Sequence, residues 1–118
     1  MVLHSHAENI HRYLPLFVYL GSHGWIVHGY DQRGMGRTGR GRDGDAFRLG
    51  DAGGWRRTSD DVTDALDRAH SLYLWGDRSG LTYKRYLYGH GVGAVLALWH
   101  ASHHGSRDHI SGVISSGM

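Results

Sequence analysis

The feature that most constrains this chain is an apolar, aromatic run that stops at a glycine-rich turn and continues as small and aliphatic residues. Residues 86–99 read YLYGHGVGAVLALW. The residues before the turn favour a strand, and those after it favour a helix that packs closely on a sheet. In α/β proteins, chemistry is presented where a strand meets a helix at the carboxyl end of a sheet. The function therefore depends on what this turn is.

Two motifs fit the turn. The dinucleotide-binding fingerprint Gly-x-Gly-x-x-Gly/Ala matches Gly89, Gly91 and Ala94, and its glycines let a pyrophosphate approach a helix N-terminus. The nucleophile elbow Gly-x-Ser-x-Gly matches Gly89, His90 and Gly93, but its central position is Gly91, which has no hydroxyl. A third interpretation is structural, in which the glycines only let the strand and the helix pack tightly.

Composition and charge argue against several classes of protein. The 118 residues are 40% apolar and 20% charged, which suits one globular domain over residues 1–118. The formal net charge is +2 and the arginines are mixed with acids, so nucleic-acid binding is not predicted. Cysteine is absent, which excludes disulfides and thiolate metal sites. No apolar run approaches the roughly 20 residues of a membrane span, and the first residues lack the pattern of a signal peptide.

Histidine is unusually frequent, with eleven residues in the chain. The groupings are His4 with His6, and His103 with His104 and His109. Three neutral imidazoles can hold a metal, but these lack the helical i, i+4 spacing and an acidic partner. We expect surface and loop histidines and no metal site.

Strand and helix patterns alternate along the chain. Strands are predicted at residues 2–4, 25–30, 83–88 and 110–115, and helices at residues 10–20, from residue 58 to about 73, and 92–101. The order β-α-β-α-β-α-β predicts a three-layer α/β sandwich around a mostly parallel sheet with right-handed crossovers. Residues 34–54 and 76–80 are predicted loops, the first long enough to be functional or mobile.

The helix ends carry local signals. Pro15 disturbs the first pattern, so this helix is expected to begin near it, and Gly21 is a natural stop. The second helix is predicted to start at Thr58, since Thr58 and Asp61 fit the capping box. The predicted apolar face of this helix consists of Val62, Leu66, Ala69 and Tyr73. Its predicted solvated acids are Asp60, Asp61, Asp64 and Asp67.

The dinucleotide interpretation needs more than glycines. An acidic residue about 20 positions on should follow the next strand and hold the ribose. Asp108 is at that distance but precedes the predicted strand at residues 110–115, and the fingerprint is expected at the first strand of its unit, not the third. The fingerprint at Gly89, Gly91 and Ala94 is therefore the less favoured interpretation.

Further motifs lie on both sides of the turn. This chain has HSHAE at residues 4–8, RY at 12–13, YDQRGMGRTG at 30–39, GHGVGA at 89–94 and ISGVISSG at 110–117. In this order they resemble the motifs of the monoacylglycerol lipases of the α/β-hydrolase superfamily, of the serine aminopeptidase S33 type. That family reads His-Gly-x-Gly-Glu, Arg-Tyr, Asp-x-Arg-Gly-x-Gly-x-Ser and Gly-His-Ser-Met-Gly-Gly. Fungal members, with Asp-Gln-Arg-Gly, look closest.

The resemblance implies hydrolysis of an acylglycerol or another carboxylic ester, with no cofactor. The nucleophile's position is Gly91, in an elbow formed with Gly89, His90 and Gly93. The oxyanion hole would use the backbone N–H groups of His6 and Val92, which stabilise a tetrahedral intermediate. The resemblance also implies a cytoplasmic protein or one associated with membranes or lipid droplets.

Three departures from the family pattern bear on activity. Ser5 and Ala7 stand where the oxyanion loop has glycines, Gly91 has no hydroxyl, and the acid and base of the triad have no matching position. Without a nucleophile and its base, covalent catalysis is lost, so we expect this chain to be inactive as it stands. A triad is recognised by geometry, so Ser5, Ser115 or Ser116, or one of the many histidines, stay open as substitutes, although none of these serines lies on an elbow.

The alternative from a different class is a non-catalytic binding or interaction module. In the family's strand numbering, the predicted strands at residues 2–4, 25–30, 83–88 and 110–115 correspond to strands 3, 4, 5 and 6. Their order across the family's sheet is 4-3-5-6, so this chain would supply the central four strands. The strands at residues 25–30 and 110–115 would then be uncovered edges, whose unpaired backbone groups can pair with another chain. A lipid surface is a further possible partner implied by the resemblance.

Overall fold

The computed structural model of the protein describes residues 1–39, 54–74 and 83–117. Most of the predicted loop at residues 34–54, and all of the predicted loop at residues 76–80, lie outside the described residues. The part of the first loop that is described contains a 3-10 helix, Gly36–Gly39.

The described residues form three strands and three α-helices on one parallel sheet. In chain order these are β1 (Val2–Leu3), α1 (Leu14–Ser22), α2 (Trp55–Leu74), β2 (Arg85–His90), α3 (Val92–His104) and β3 (Ile110–Ser116). A second 3-10 helix, Ile10–Tyr13, leads into α1. The strand order is β1-β2-β3, with Val2 opposite Tyr88 and His90 opposite Ser116. This is a partial α/β-hydrolase fold, and the predicted α/β class is confirmed.

The sheet has helices on both faces. Successive residues of a strand point to opposite faces. Leu87 of β2 lies in the core with α2 and α3, whereas its neighbour Tyr88 makes an edge-to-face contact with Tyr13, just before α1. The predicted three layers are therefore present.

The core lies between the sheet and the pair α2 and α3. Leu3, Leu87 and Leu96 are fully buried there, with Val62 and Leu66 of α2 beside them. Burying such a side chain is worth about 1.5–3 kcal/mol relative to leaving it exposed. This cluster holds the carboxyl ends of β1 and β2, and hence the turn after β2, against α3.

The predicted strand at residues 25–30 is wrong. The segment makes a single parallel bridge, Gly29 to Val2, with a hydrogen bond from Val2 N–H to the His28 carbonyl of 2.8 Å. Trp25 and Ile26 are 52% and 64% exposed, so the segment is not buried. The segment does not form a strand because its neighbour β1 has only two residues, which offer too few backbone groups for a ladder of hydrogen bonds. The neighbour order is nevertheless the one implied by the resemblance.

The end of α1 also differs from the prediction. Gly21 lies inside the helix, which ends at Ser22, and Gly24 with φ +83° is the residue that stops it. The amides of Gly24 and Trp25 donate to the carbonyls of Gly21 and Leu20, at 3.1 Å each. These two bonds form a Schellman motif, which needs the left-handed backbone at Gly24. The start near Pro15 is confirmed, since proline lies in the first turn of α1.

Helix α2 begins at Trp55, three residues before the predicted start. Thr58 is not its cap, because it lies in the first turn of the helix, where its hydroxyl donates to the carbonyl of Gly54 at 3.0 Å. On the predicted apolar face, Val62 and Leu66 are buried but Tyr73 is 49% exposed. The predicted solvated acids Asp60, Asp64 and Asp67 are exposed, and Asp61 is half-buried.

The last two elements are close to their predictions. The predicted helix at residues 92–101 continues to His104, three residues beyond its predicted end. The predicted strand at residues 110–115 extends to Ser116. Within the described part of the chain, no helix is long and apolar enough to span a membrane.

Candidate active site at the strand-to-helix elbow

The turn between β2 and α3 consists of a single residue, Gly91. Its backbone has φ +54° and ψ −123°, in the left-handed half of backbone space that glycine tolerates best. Its amide donates to the Ser116 carbonyl at 3.0 Å, and its carbonyl accepts the Ala94 amide at 3.0 Å. A sharp, strained turn from strand to helix at the carboxyl edge of a parallel sheet is the geometry of a nucleophile elbow.

Gly89 and Gly93 let the helix come this close to the strands. A Cβ on Gly89 would overlap the Gly93 carbonyl and lie 2.5 Å from Ala94 Cα. A Cβ on Gly93 would overlap the Leu3 carbonyl and lie 2.5 Å from that of His4. The first turn of α3 is thus in contact with the ends of both β1 and β2.

The residues after β1 form a tight loop, residues 5–8, which we call the oxyanion loop. Ala7 has φ +58°, so alanine adopts the left-handed conformation for which the family pattern has glycine. The Glu8 carboxylate accepts the Ser5 amide at 3.0 Å and the Tyr13 hydroxyl at 2.8 Å, and Arg12 lies 3.2 Å from its other oxygen. Burial opposes ionisation of Glu8, but these partners outweigh it and lower its pKa.

The hydroxyl of Ser5 lies at the elbow. The Val92 amide donates to Ser5 Oγ at 3.3 Å. A Cβ placed on Gly91 would overlap Ser5 Oγ and lie 3.0 Å from Ser5 Cβ. One of the three serines considered as substitutes therefore contacts the position where the family carries its nucleophile.

The other residues predicted at the site are spread around it. His6 is exposed, and no hydrogen bond joins it to another described residue. His90 Nδ1 lies 3.4 Å from Ser116 Oγ, and its ring packs where a Cβ on Gly117 would be. Ser115 is exposed at the end of β3. Of the two amides predicted to form an oxyanion hole, that of Val92 is engaged by Ser5.

His4 is fully buried behind the loop and has both ring nitrogens occupied. Its Nδ1–H donates to the Ser5 carbonyl at 2.7 Å, and its Nε2 accepts the Gln32 amide at 2.9 Å. The Gln32 side-chain amide also donates to the His4 carbonyl. His4 is a positioning residue for the oxyanion loop, which corrects the expectation that it lies on the surface or in an exposed loop.

Three consecutive residues hold the parts of the site together. The Asp31 carboxylate accepts the amides of Ile10 and Arg37, at 2.8 and 2.9 Å. Gln32 binds His4, and Arg33 forms a two-bond ion pair with Asp61 of α2, at 2.6 and 3.0 Å. Burial opposes ionisation of Asp31, but the two amides dominate and lower its pKa. The Asp-Gln-Arg part of the family pattern is thus structural here.

A Ser-His-Asp arrangement lies elsewhere, and sequence reasoning missed it. Ser59 of α2 donates its hydroxyl to His100 Nδ1 at 2.6 Å, and His100 Nε2–H donates to Asp108 at 2.8 Å. Asp108 also accepts bonds from Thr63 and Arg107, at 2.9 and 3.0 Å. We call Ser59, His100 and Asp108 the buried network.

The buried network is a packing element and not a catalytic centre. The exposed fractions of Ser59, His100 and Asp108 are 1%, 0% and 6%, so a substrate cannot reach the hydroxyl. Burial lowers the pKa of His100 despite the opposing effect of Asp108. One sequence signal could have found it, because His100 follows Leu96 and Ala97 at helical spacing and so lies on the buried face of α3.

The geometry around Asp108 also weakens the dinucleotide interpretation. Asp108 precedes β3 and is buried against His100, Thr63 and Arg107. It is therefore at the opposite end of the strand from the turn and has no free oxygen facing a ribose there.

Among the described residues, no three histidine, aspartate or glutamate side chains lie close enough together to hold a metal ion.

The parallel sheet, the helices on both faces and the elbow at its carboxyl edge define the class of this protein as an α/β-hydrolase. The family model described as serine aminopeptidase, S33, matches residues 1–118, and the chain belongs to that family. Neither a search of curated proteins nor a search of solved structures gives a match.

Proposed function

We propose that this chain is the elbow-bearing part of a monoacylglycerol lipase-like ester hydrolase and that it is not a catalyst as it stands. The observation that supports this is the backbone of Gly91, which has the positive φ expected of an elbow but carries no nucleophile. Acyl transfer through a covalent intermediate needs a hydroxyl at that place and a base to activate it. The proposed substrate class is a carboxylic ester such as an acylglycerol, with no cofactor.

A fluorophosphonate probe tests the catalytic part of the proposal, because it labels only activated serine hydroxyls. The purified chain and a known serine hydrolase are incubated with the probe, and labelling is followed by gel fluorescence and by mass spectrometry of the peptides. We expect the known enzyme to be labelled and this chain to stay unlabelled. Stoichiometric labelling of any serine would overturn the proposed inactivity.

The substrate class needs its own test, because the family description names an aminopeptidase. A p-nitrophenyl ester, a monoacylglycerol and an aminoacyl p-nitroanilide are compared with the unmodified chain and with a Gly91→Ser, Ser5→Gly double variant. We expect no turnover by the unmodified chain, and slow turnover of the p-nitrophenyl ester before the anilide by the variant, because the variant has a hydroxyl at position 91 but still no matched base. Turnover of the anilide by the variant, without turnover of either ester, would contradict the lipase-like assignment.

A non-catalytic binding module is the second candidate, and one observation favours it. A cavity of about 840 Å³ is lined by Leu16 and Leu20 of α1 and by Tyr86 of β2. Exposed Trp25 and Ile114 belong to the same wall. Exposed apolar surface of this kind serves association with another chain or with a lipid surface.

Sedimentation and flotation separate these partners. Self-association through the edge of β3 would raise the sedimentation coefficient with concentration, and a lipid partner would carry the chain to the top of a gradient with phosphatidylcholine vesicles.

For the dinucleotide alternative, calorimetric titration with NADH should show no saturable heat. Saturable binding in the micromolar range would reverse the ranking of the two motifs.

A further inference from the structure

We propose that Ser5 closes the elbow from within the chain. Its hydroxyl takes the volume of the side chain that Gly91 lacks, and it occupies the Val92 amide that an oxyanion would use. This inference rests on the proposed function, since it treats the turn as a hydrolase elbow. It adds that the elbow not only lacks a nucleophile but is also occupied by a residue of the oxyanion loop.

The steric part of the inference comes from the space around Gly91. A Cβ at this position would overlap Ser5 Oγ, and it would also lie 3.0 Å from Ser5 Cβ. Carbon atoms in ordinary contact are about 3.5–4.0 Å apart. The Ser5 hydroxyl, in the rotamer that binds Val92, and any side chain at position 91 therefore compete for the same space.

The electrostatic part comes from the first turn of α3. The first amides of a helix have no intrahelical acceptor, and they need a partner. Val92 finds one in Ser5 Oγ at 3.3 Å. A carbonyl oxygen that becomes an oxyanion needs such a donor about 2.7–3.1 Å away, so a substrate has to displace the Ser5 hydroxyl first.

Ser5 is held in place from both sides of its backbone. Its amide donates to Glu8 at 3.0 Å, and its carbonyl accepts His4 Nδ1–H at 2.7 Å. Glu8 is fixed by Tyr13, and His4 is fully buried against Gln32. The hydroxyl is consequently presented to the elbow by a rigid support and not by a loose loop.

The departures from the family pattern at positions 5 and 91 thus form one coupled pair. Position 5 has gained a side chain where the family has glycine, and position 91 has lost one where the family has serine. The elbow holds both side chains only when the Ser5 hydroxyl turns away from Val92 and the Ser5 Cβ moves by a few tenths of an ångström. Restoring serine at position 91 alone should therefore leave the elbow crowded and the Val92 amide engaged.

A thermal double-mutant cycle tests the steric coupling. The melting temperature is measured for the unmodified chain, for Gly91→Ala, for Ser5→Gly and for the double variant. The positive φ strains alanine at position 91 in both backgrounds, so that penalty cancels in the cycle. We expect a clearly smaller drop from Gly91→Ala in the Ser5→Gly background. A drop of equal size in both backgrounds would overturn the inference.

A matched control removes a serine that pairs with Gly89 through the backbone but whose side chain does not enter the space around Gly91. Ser115 is exposed at the end of β3, and Ser115→Gly changes the chain by the same atoms as Ser5→Gly. The drop in melting temperature caused by Gly91→Ala should be unchanged in the Ser115→Gly background. If Ser115→Gly relieved it as well, the relief would be non-specific and the inference would fail.

The hydrogen bond has a separate readout in the amide signals. In Ser5→Ala, the Val92 amide should exchange faster with solvent and shift upfield in a nitrogen–proton correlation spectrum. The Ala94 amide, which donates to the Gly91 carbonyl, should keep its position. A general loosening would move both signals, and an unchanged Val92 signal would contradict the hydrogen bond.

The fluorophosphonate probe distinguishes failure of this inference from failure of the proposed function. Rapid labelling of Gly91→Ser with Ser5 intact would refute closure by Ser5, while the lipase-like assignment would stand. Labelling of Ser5 itself in the unmodified chain would refute the proposed inactivity, while the presence of the Ser5 hydroxyl at the elbow would be supported.

Discussion

The elbow and the buried network divide the features of a hydrolytic site between two places. The elbow has a strained glycine turn at the carboxyl edge of the sheet and a helix amide directed at it, but position 91 has no hydroxyl. The buried network has a serine, a histidine and an aspartate hydrogen-bonded in series, but their exposed fractions are 6% or less. The elbow is at the surface but has no nucleophile, and the buried network has a serine, a histidine and an aspartate but no access for a substrate.

This difference shows that residue types alone do not make a catalytic triad. A nucleophile has to be within reach of substrate and next to oxyanion donors. In the buried network, where α2 packs on α3, the same three residue types have a structural role. They satisfy one another's hydrogen bonds, as buried polar groups require.

The largest expected effect is on the buried network. His100→Ala removes a fully buried ring, leaves Ser59 without its acceptor and takes one donor from Asp108. We expect the free energy of unfolding to fall by about 3 kcal/mol, from the cavity and the lost hydrogen bonds. Urea denaturation measures it. His103→Ala, which changes an exposed histidine of the same helix, is the control, and an equal loss there would mean that the network is not a special stabilising element.

The next largest effect concerns the elbow. In Gly93→Ala, the new methyl group would overlap the Leu3 carbonyl, and backbone atoms cannot move aside cheaply. We expect a loss of roughly 2 kcal/mol, in the range of overpacked sites. Gly21→Ala is the matched control in α1, where a Cβ meets nothing within 4 Å. Alanine there should stabilise the chain by up to about 1 kcal/mol, and a loss at both positions would contradict the special role of Gly93.

The pH dependence should separate the network from the elbow. Burial holds the pKa of His100 below its ordinary value of about 6.5, so the unfolded chain takes up a proton first. The stabilisation is therefore complete above about pH 6.5 and falls with decreasing pH, by at most about 1.4 kcal/mol per pH unit. Asp108, whose pKa is lowered, contributes in the same direction only below about pH 4.

Urea denaturation of the unmodified chain and of His100→Gln between pH 7.5 and 5 tests this expectation. The pKa of His28 is also lowered by burial, so part of the slope belongs to it and remains in the variant. The difference between the two slopes is the contribution of His100. Identical slopes would show that His100 is as easily protonated in the folded chain as in the unfolded one.

The smallest expected effect is at Ala7 in the oxyanion loop. Its φ of +58° strains alanine, whereas glycine tolerates it but gains entropy in the unfolded chain. We expect Ala7→Gly to stabilise the chain by about 0.5 kcal/mol, the difference between these two effects. Thermal unfolding measures it, with Ala65→Gly inside α2 as a control that should destabilise. Destabilisation by both substitutions would argue against strain in the loop.

Much of the fold follows from local patterns in the sequence. The strand before Gly91, the helix after it and the final strand carry a strong apolar period, and each is found within a few residues of its prediction. The segment at residues 25–30 has the same apolar character but no strand. Strand formation needs a neighbour of sufficient length, and the two residues of β1 do not provide one.

The candidate site was predictable only in part, because its geometry depends on distant contacts. The glycine pattern locates the turn at Gly91, but nothing local places the Ser5 hydroxyl against it. Ser59 and His100 are 41 positions apart, and only the packing of α2 on α3 brings them together. The start of α2 was predicted three residues too late, because the capping pattern at Thr58 and Asp61 lies inside the helix, where the Thr58 hydroxyl donates to the Gly54 carbonyl.

The bond between Ser5 and Val92 has a consequence for the order of folding events. It joins residues 87 positions apart, and the pairing of β1 with β2 spans a similar distance. Closing so long a stretch of chain has an entropic penalty before any contact compensates it, and such contacts slow folding. The turn at Gly91 can form early from its own strand and helix, but its closure by Ser5 has to wait until both ends of the chain have met.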